Sequence, residues 1–128
     1  MTIILDSGGV TAFAGDRERL MVLREKLDRP PVVPAVVLAE ALTGDHRRDH
    51  EANRLLRLCE IREVDETMAR SAARLRTLTG RAGTTSATDA IVVALADQQH
   101  DPVVVTSDPK DLLALAEHAD RPMSINTV

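Results

Sequence analysis

The chain has 128 residues, a length that suits one domain with one hydrophobic core, and its hydrophobic fraction of 44% is ordinary for a folded protein. Its formal net charge of −4 excludes a protein that binds nucleic acid through overall basic charge, and its aromatic content of 1% excludes a platform for base stacking. All but two of its 16 basic residues, Lys26 and Lys110, are arginines, whose planar donor groups suit phosphate oxygens.

The sequence also excludes several locations and linkages. No apolar run approaches the roughly 20 residues of a membrane span, and the longest covers residues 90–96. The N-terminal segment MTIILD lacks a basic region, so we expect no signal peptide. Cys59 is the only cysteine, which rules out an internal disulfide, and we expect it to be a small core residue. We therefore expect a cytoplasmic protein that forms one domain over residues 1–128.

The first half of the chain alternates short apolar runs with helical patterns. Residues 2–5 predict a strand that ends at Asp6, and Ser7-Gly8-Gly9 predicts a turn after it. Leucines at helical spacing predict a helix over residues 17–27, which Pro30-Pro31 ends. The other elements predicted here are a strand at residues 32–33, helices over residues 35–42 and 51–59, and a strand at residues 61–64.

The second half continues the alternation. A helix is predicted over residues 66–78, and Ser86 with Asp89 resembles a capping box that opens a helix running to about residue 98. Residues 103–106 are a continuous β-branched run, typical of a buried parallel strand. The other predicted elements are a polar loop at residues 81–86, a helix from Asp108-Pro109 to about residue 117 and a strand at residues 124–128. Strands that alternate with helices predict an α/β fold, a parallel sheet with helices on both faces.

Four acidic residues occupy positions where such a fold gathers functional groups. Asp6 and Asp108 each follow a predicted strand, and ligands of open α/β sheets bind beyond the carboxyl ends of the strands. Glu40 and Asp89 lie within helices. Each acid also has a structural explanation, since Asp6 can be a turn residue, Asp108 a helix N-cap and Asp89 a capping-box partner.

Glu40 is the hardest of the four to explain structurally. It is the only polar residue in the apolar segment AVVLAEAL, so we expect a carboxylate with little solvent and no basic partner within one helical turn. Carboxylates gathered at one sheet edge repel one another, which raises the pKa of such groups. A hard divalent cation relieves that repulsion, and oxygen ligands favour Mg²⁺ or Mn²⁺. The four histidines have no ligand spacing for zinc and are expected at the surface.

The order of these motifs resembles the PIN-domain family, and in particular its VapC-type toxins. The matching segments are IILD with Asp6, PAVVLAEAL with Glu40, SATDAIVVALA with Asp89 and VVVTSDPKDL with Asp108. Together they span nearly the whole chain. One departure stands at Gly8, where many relatives have a polar residue.

The resemblance carries several expectations. It implies a sheet of order 3-2-1-4-5 and a Mg²⁺-dependent (or Mn²⁺-dependent) endoribonuclease that hydrolyses RNA to a 5′-phosphate and a 3′-hydroxyl. The four acids would hold the metal and act in catalysis, and the candidate supporting residues are Ser7, Thr106, Ser107 and Asp111. It also implies a homodimer and a cognate VapB-like antitoxin as partner.

Two other functions agree with the same motifs. The chain can be a catalytically silent PIN-type interaction module, although its intact acids argue against this. It can also be a housekeeping RNA-processing nuclease with no dedicated inhibitor. A haloacid-dehalogenase-like phosphatase is disfavoured, because it needs an aspartate where this chain has Gly8. A phosphate-binding P-loop is excluded because no GxxxxGK[ST] motif occurs.

Overall fold

A five-stranded parallel sheet organises the fold in the computed structural model, which describes residues 1–128. The strands are β1 (Thr2–Leu5), β2 (Val32–Pro34), β3 (Glu60–Arg62), β4 (Pro102–Thr106) and β5 (Ser124–Thr127). Their order in the sheet is β3-β2-β1-β4-β5, so the predicted order is confirmed and the strands that precede Asp6 and Asp108 are neighbours. No helix has the length and apolar character needed to cross a membrane.

The central strands are buried along their whole length. Every residue of β1 and of β4 is buried, whereas the edge strands β3 and β5 have no buried residue. Aliphatic and β-branched residues suit strands that are covered on both faces, because side chains then leave the sheet on both sides into the core. The sheet therefore fixes the carboxyl ends of β1 and β4 rigidly beside each other.

Seven helices cover the sheet in two groups. They are α1 (Ser7–Ala14), α2 (Arg17–Lys26), α3 (Ala35–Ala41), α4 (His50–Leu56), α5 (Glu66–Leu78), α6 (Ala87–Asp97) and α7 (Lys110–Ala116). Helices α2, α3 and α4 each contact α1, whereas α5, α6 and α7 contact one another. Helix α1 packs on β1 and β4, and α6 packs on β1, β2 and β4, which gives a helical layer on each face.

The predicted turn after Asp6 is wrong. Helix α1 begins at once, with Asp6 as its N-cap, and Gly8 and Gly9 lie in its first turn. Two glycines at the start of a helix are costly for the helix alone, so the sequence pattern favours a turn. The close packing of this first helical turn against β4 overrides that local preference.

Two helix boundaries also differ from the prediction. Helix α4 ends at Leu56, three residues early, and Cys59 lies half-buried beyond it with its thiol donating to the Leu55 carbonyl oxygen at 3.4 Å. Burial raises the pKa of Cys59 to about 11, so the thiol is protonated and inert at neutral pH. Helix α7 has Pro109, not Asp108, as its N-cap, and no side chain caps it.

Candidate active site

Asp6 is the buried centre of the acidic site. Its side chain is only 7% exposed, and one carboxylate oxygen, Oδ1, accepts the Gly9 backbone N–H at 2.8 Å. The other oxygen, Oδ2, accepts a short hydrogen bond from the Thr106 hydroxyl at the end of β4. These bonds connect the ends of two neighbouring strands and fix the orientation of the carboxylate.

Thr106 also shapes the segment that carries Asp108. Its hydroxyl oxygen accepts the Asp108 backbone N–H at 3.0 Å, which folds residues 106–108 into a tight turn. Asp108 itself is exposed, and its side chain makes no hydrogen bond. The structure therefore does not support the N-cap explanation for Asp108. Thr106, one of the supporting residues proposed from the sequence, is completely buried and links Asp6 to the Asp108 turn.

The first turn of α1 approaches β4 more closely than a side chain allows. A Cβ atom on Gly9 would lie 2.4 Å from the Val105 carbonyl oxygen, and one on Gly8 would lie 2.1 Å from Ser107 Oγ. Glycine is therefore required at both positions for steric reasons. This accounts for the departure at Gly8, since a polar side chain there would displace Ser107, which is itself exposed.

Glu40 is exposed, so the expectation of a buried carboxylate is wrong. Helix α3 has only seven residues, and Val37 is the only one that is buried. The apolar segment therefore has an open face, and Glu40 lies on it. The Ser7 hydroxyl donates to Glu40 Oε2 at 3.3 Å, which brings the carboxylate to the N-terminus of α1. Glu40 thus lies at the same sheet edge as Asp6. It is held there by the hydrogen bond from Ser7 and not by burial among apolar residues, which its sequence context predicted.

Asp89 lies half-buried in the first turn of α6. Ser86 caps this helix by accepting the Asp89 backbone N–H at 3.1 Å, but the Asp89 side chain does not return a bond as a capping box would. Its pKa rises to about 6, mainly because burial disfavours the charged form, and next because of repulsion from Asp6. The charges of Asp111, Glu40 and Asp108 raise it further, in that order. The pKa of Asp89 thus responds to the charges of all four of the other acids.

The raised pKa of Asp89 predicts a pH-dependent stability gain for Asp89→Asn in metal-free protein. Between about pH 4 and pH 6 the folded wild type binds a proton that the unfolded chain releases, so its stability falls as the pH rises through this range. The variant escapes this loss. Thermal melts in EDTA should show a higher melting temperature for Asp89→Asn at pH 8 and no advantage below about pH 4. Asp28→Asn, at an exposed site, serves as control, and an equal gain at both pH values would contradict the account.

The acids are gathered without neutralising cations. None of the ion pairs in the structure involves Asp6, Glu40, Asp89, Asp108 or Asp111. No three His, Cys, Asp or Glu side chains converge closely enough to bind one ion directly. Mg²⁺ usually keeps several waters and is held through one or two carboxylates, so this spacing and the oxygen-only donors fit a hydrated divalent ion.

An open groove runs from this cluster along α1. Ser7 and Ser107, two of the supporting residues predicted from the sequence, line it together with Glu40. The groove is wide open to solvent. It can admit an extended polymer rather than enclose a small molecule. The residues that form it are Ser7, Gly8, Thr11, Ala12, Glu40 and Ser107.

Asp49 is a structural residue that the sequence reasoning missed. It is buried, and its carboxylate accepts the backbone N–H groups of Thr43 and Gly44 and the Thr43 hydroxyl. The Thr43 backbone N–H bond is the main reason that the pKa of Asp49 is lowered. Gly44 has a φ of 85°, so the chain turns sharply there. These bonds secure the C-terminal end of α3, the helix that carries Glu40.

Comparisons with known proteins identify the family and similar folds. A family model described as PIN domain matches residues 3–118. The fold is similar to that of the DNA-bound VapBC from Salmonella typhimurium, with a TM-score of 0.70 and 16% identity over 98% of each chain. It is also similar to FitAcB from Neisseria gonorrhoeae, with a TM-score of 0.67 and 22% identity over 98% of this chain and 97% of that one.

A third structure with this fold is VapBC2 from Rickettsia felis bound to a DNA fragment from its promoter. The TM-score is 0.69, with 15% identity over 98% of each chain. No curated protein sequence matches the chain. At these identities the structural likeness concerns the fold, whereas the family model spans most of the sequence, including all four acids and their strands and helices.

Proposed function

Because the chain belongs to the PIN-domain family, we propose that it is a metal-dependent endoribonuclease and the toxin of a VapC-type toxin–antitoxin pair. Proteins of this family are generally nucleases. One observation carries the proposal for this chain. Asp89 is half-buried among four other acids, with no cation paired to any of them. That arrangement is costly for folding alone and favourable for binding a divalent metal.

Asp6, Glu40, Asp89 and Asp108 are the residues that would hold the metal, in part through its bound waters, with Mg²⁺ or Mn²⁺ as the ion. When bound there, such an ion lowers the pKa of water and offsets the negative charge that develops on the scissile phosphate. Asp111 adds negative charge beside Asp89 and supports the same site. The products would be a 5′-phosphate and a 3′-hydroxyl, as the resemblance to the family implies.

The chain's own residues prepare the site for this chemistry. Thr106 holds the buried Asp6 carboxylate in one orientation, and Ser7 holds Glu40 toward α1. RNA would lie in the open groove along α1 and be bound mainly through phosphates and sugars, since the chain has almost no aromatic residues. Arginine side chains would be the donors in such contacts, because the planar guanidinium suits phosphate oxygens.

The toxin role rests on the family and on the need for control. A nuclease that reads mostly phosphates has little selectivity of its own. The similar structures from Salmonella typhimurium and Rickettsia felis are VapBC proteins bound to DNA. We infer a VapB-like antitoxin that inserts a cationic side chain among the acids and displaces the metal. We also infer a cytoplasmic homodimer, and a sedimentation run that gives only monomer at high micromolar concentration would oppose the dimer.

Cleavage of RNA by the purified protein tests the nuclease proposal. We expect an end-labelled structured RNA to be cut with Mg²⁺ or Mn²⁺ and to stay intact in EDTA, and a DNA of the same sequence to stay intact. Asp108→Asn should lower the rate by at least about tenfold. Asp101→Asn is the matched control, because Asp101 precedes β4 and Asp108 follows it.

Each outcome of this experiment separates the alternatives. No cleavage with any metal would favour a silent interaction module. Cleavage that persists in EDTA, or that both variants lose equally, would contradict the assignment of the acids. Cleavage of DNA as well as RNA would leave the metal site standing but remove the assignment of an RNA-specific substrate.

A further inference from the structure

Arg76 has no acidic partner, and its guanidinium contacts the protein's own backbone. It lies in the last turn of α5 and is half-buried. Its Nε donates to the Thr85 carbonyl oxygen at 2.9 Å, and its Nη2 donates to the Ala82 carbonyl oxygen at 2.6 Å. No other protein donor reaches either carbonyl. One guanidinium thus binds two points of the loop that joins α5 to α6, one in its middle at Ala82 and one near its end at Thr85.

The loop is also ordered by its own bonds. The Arg81 carbonyl oxygen accepts the backbone N–H groups of Thr84 and Thr85 and the Thr84 hydroxyl. Thr85 is only 4% exposed. These bonds give residues 81–85 a fixed internal shape, and the contacts with the Arg76 guanidinium join that part of the loop to α5.

The position of this loop decides where α6 begins. Thr85 directly precedes Ser86, whose hydroxyl accepts the Asp89 backbone N–H and whose carbonyl oxygen accepts the Ala90 N–H. Because α6 begins at a fixed residue, Asp89 is held in the first turn of this helix, near the other acids. Thr85, whose carbonyl oxygen Arg76 binds, lies only four positions before Asp89 in the sequence.

On this geometry we propose that Arg76 is a positioning residue for Asp89, acting through Thr85 and Ser86. Its planar donor group reaches two carbonyls at once, which a lysine cannot do with the same fixed geometry. The proposal rests on the proposed function for its effect on cleavage. Its structural claim concerns only where Asp89 is held, and it can be tested without any nuclease activity.

The test compares Arg76→Met and Arg76→Lys with Arg74→Met. Arg74 lies on the same helix, but it is exposed and pairs only loosely with the exposed Asp120 at 3.8 Å. We expect Arg76→Met to weaken Mn²⁺ binding by about tenfold, the low end of the loss on removing a direct hydrogen-bond partner of a metal ligand, because Arg76 acts through Thr85 and Ser86. Arg76→Lys should have an intermediate effect, and Arg74→Met none. All measurements are made well below each variant's melting temperature.

A double-mutant cycle distinguishes positioning from general stabilisation. If Arg76 acts through Asp89, Arg76→Met should weaken Mn²⁺ binding no further in an Asp89→Asn background. Hydrogen exchange of the Asp89 and Ala90 amides should also accelerate in Arg76→Met without metal, while amides in β1 and β4 keep their protection. In cleavage assays kcat should fall while KM stays within about twofold.

Several results would overturn the proposal. One is a variant that melts earlier but binds Mn²⁺ as tightly as Arg74→Met. Another is an equal loss of binding in the wild-type and Asp89→Asn backgrounds. If Arg76→Met does not fold, Arg76→Lys supplies the same comparison. Failure of the proposed nuclease function would give a different result. The wild-type protein would cleave no RNA, while Mn²⁺ affinity and hydrogen exchange would still test the role of Arg76.

Discussion

Asp6→Asn is expected to reduce RNA cleavage by more than about 100-fold while the fold is preserved. Loss of an outer partner of a metal ligand already costs about 10- to 100-fold, and Asp6 is the most buried of the proposed ligands. The substitution removes one negative charge from the cluster and replaces one oxygen by an amide nitrogen. Mn²⁺ affinity, measured by calorimetric titration, should fall together with the cleavage rate.

The hydrogen bonds around Asp6 explain why asparagine should be tolerated. The retained amide oxygen can still accept the Gly9 backbone N–H, which preserves the cap of α1. The new NH₂ group can donate to Thr106 Oγ1. The Thr106 hydroxyl can then donate to the Asp108 carbonyl oxygen, which already lies 3.3 Å away. Alanine would lose both bonds of Asp6, so Asp6→Asn is the better variant for separating chemistry from folding.

Asp16→Asn provides the matched control. Asp16 is also a helix N-cap, since it accepts the Arg19 backbone N–H at 3.0 Å at the start of α2, but it is exposed and lies outside the acidic cluster. The same chemical change at a cap should leave cleavage and Mn²⁺ binding unchanged. Cleavage by Asp6→Asn at the wild-type rate would falsify the proposed site, and equal losses in both variants would point to a general effect of caps.

The same pair of variants extends the test to the toxin role. Expression of the wild type alone should arrest growth, Asp6→Asn should relieve the arrest, and Asp16→Asn should not. Co-expression of a cognate antitoxin should also relieve it. Normal growth with abundant, soluble protein that cleaves RNA in vitro would favour the housekeeping nuclease and oppose the toxin.

Much of the fold follows from local patterns in the sequence. The buried strands β1 and β4 are apolar runs, and each is followed by an aspartate, so the rule that ligands bind at the carboxyl ends of parallel strands brings Asp6 and Asp108 together. Asp89 follows a capping serine, which predicts the start of α6. These residues are predictable because their positions depend on elements that their own neighbours define.

Other parts of the site depend on contacts between distant segments. The sequence indicates a turn at Gly8 and Gly9, because nothing near them shows that β4 passes against this turn of the helix. Glu40 appears enclosed because its neighbours are apolar, although α3 is too short to be covered on all sides. Arg76 and Asp49 are unremarkable in the sequence, since each acts on backbone groups of a loop rather than on a recognisable partner.

Gly9→Ala is expected to destabilise the protein by about 3 kcal/mol or more and to lower its melting temperature by roughly 10 °C or more. The new Cβ would lie 2.4 Å from the Val105 carbonyl oxygen and 3.3 Å from its carbonyl carbon. Both are backbone atoms of β4, a central strand whose residues are all buried, so they cannot move aside as a flexible side chain can. Helix α1 must therefore shift away from the sheet.

The direction of this effect is informative because helix propensity alone predicts the opposite. Within a helix, alanine is favoured over glycine by about 0.8–1.0 kcal/mol, so an uncrowded Gly9 would become more stable on substitution. Gly83→Ala is the control, since its Cβ would meet no atom within 4 Å and its φ is not positive. There we expect a change within about 0.5 kcal/mol.

Urea denaturation in EDTA measures both variants without a contribution from bound metal. A displaced α1 would also withdraw the Gly9 N–H from Asp6 and carry Ser7 away from Glu40. Mn²⁺ binding of the folded fraction should consequently weaken in Gly9→Ala and not in Gly83→Ala. If Gly9→Ala is instead as stable as the wild type or more stable, α1 does not pack against Val105 as closely as the structure has it, and the steric reason for glycine at the start of this helix is wrong.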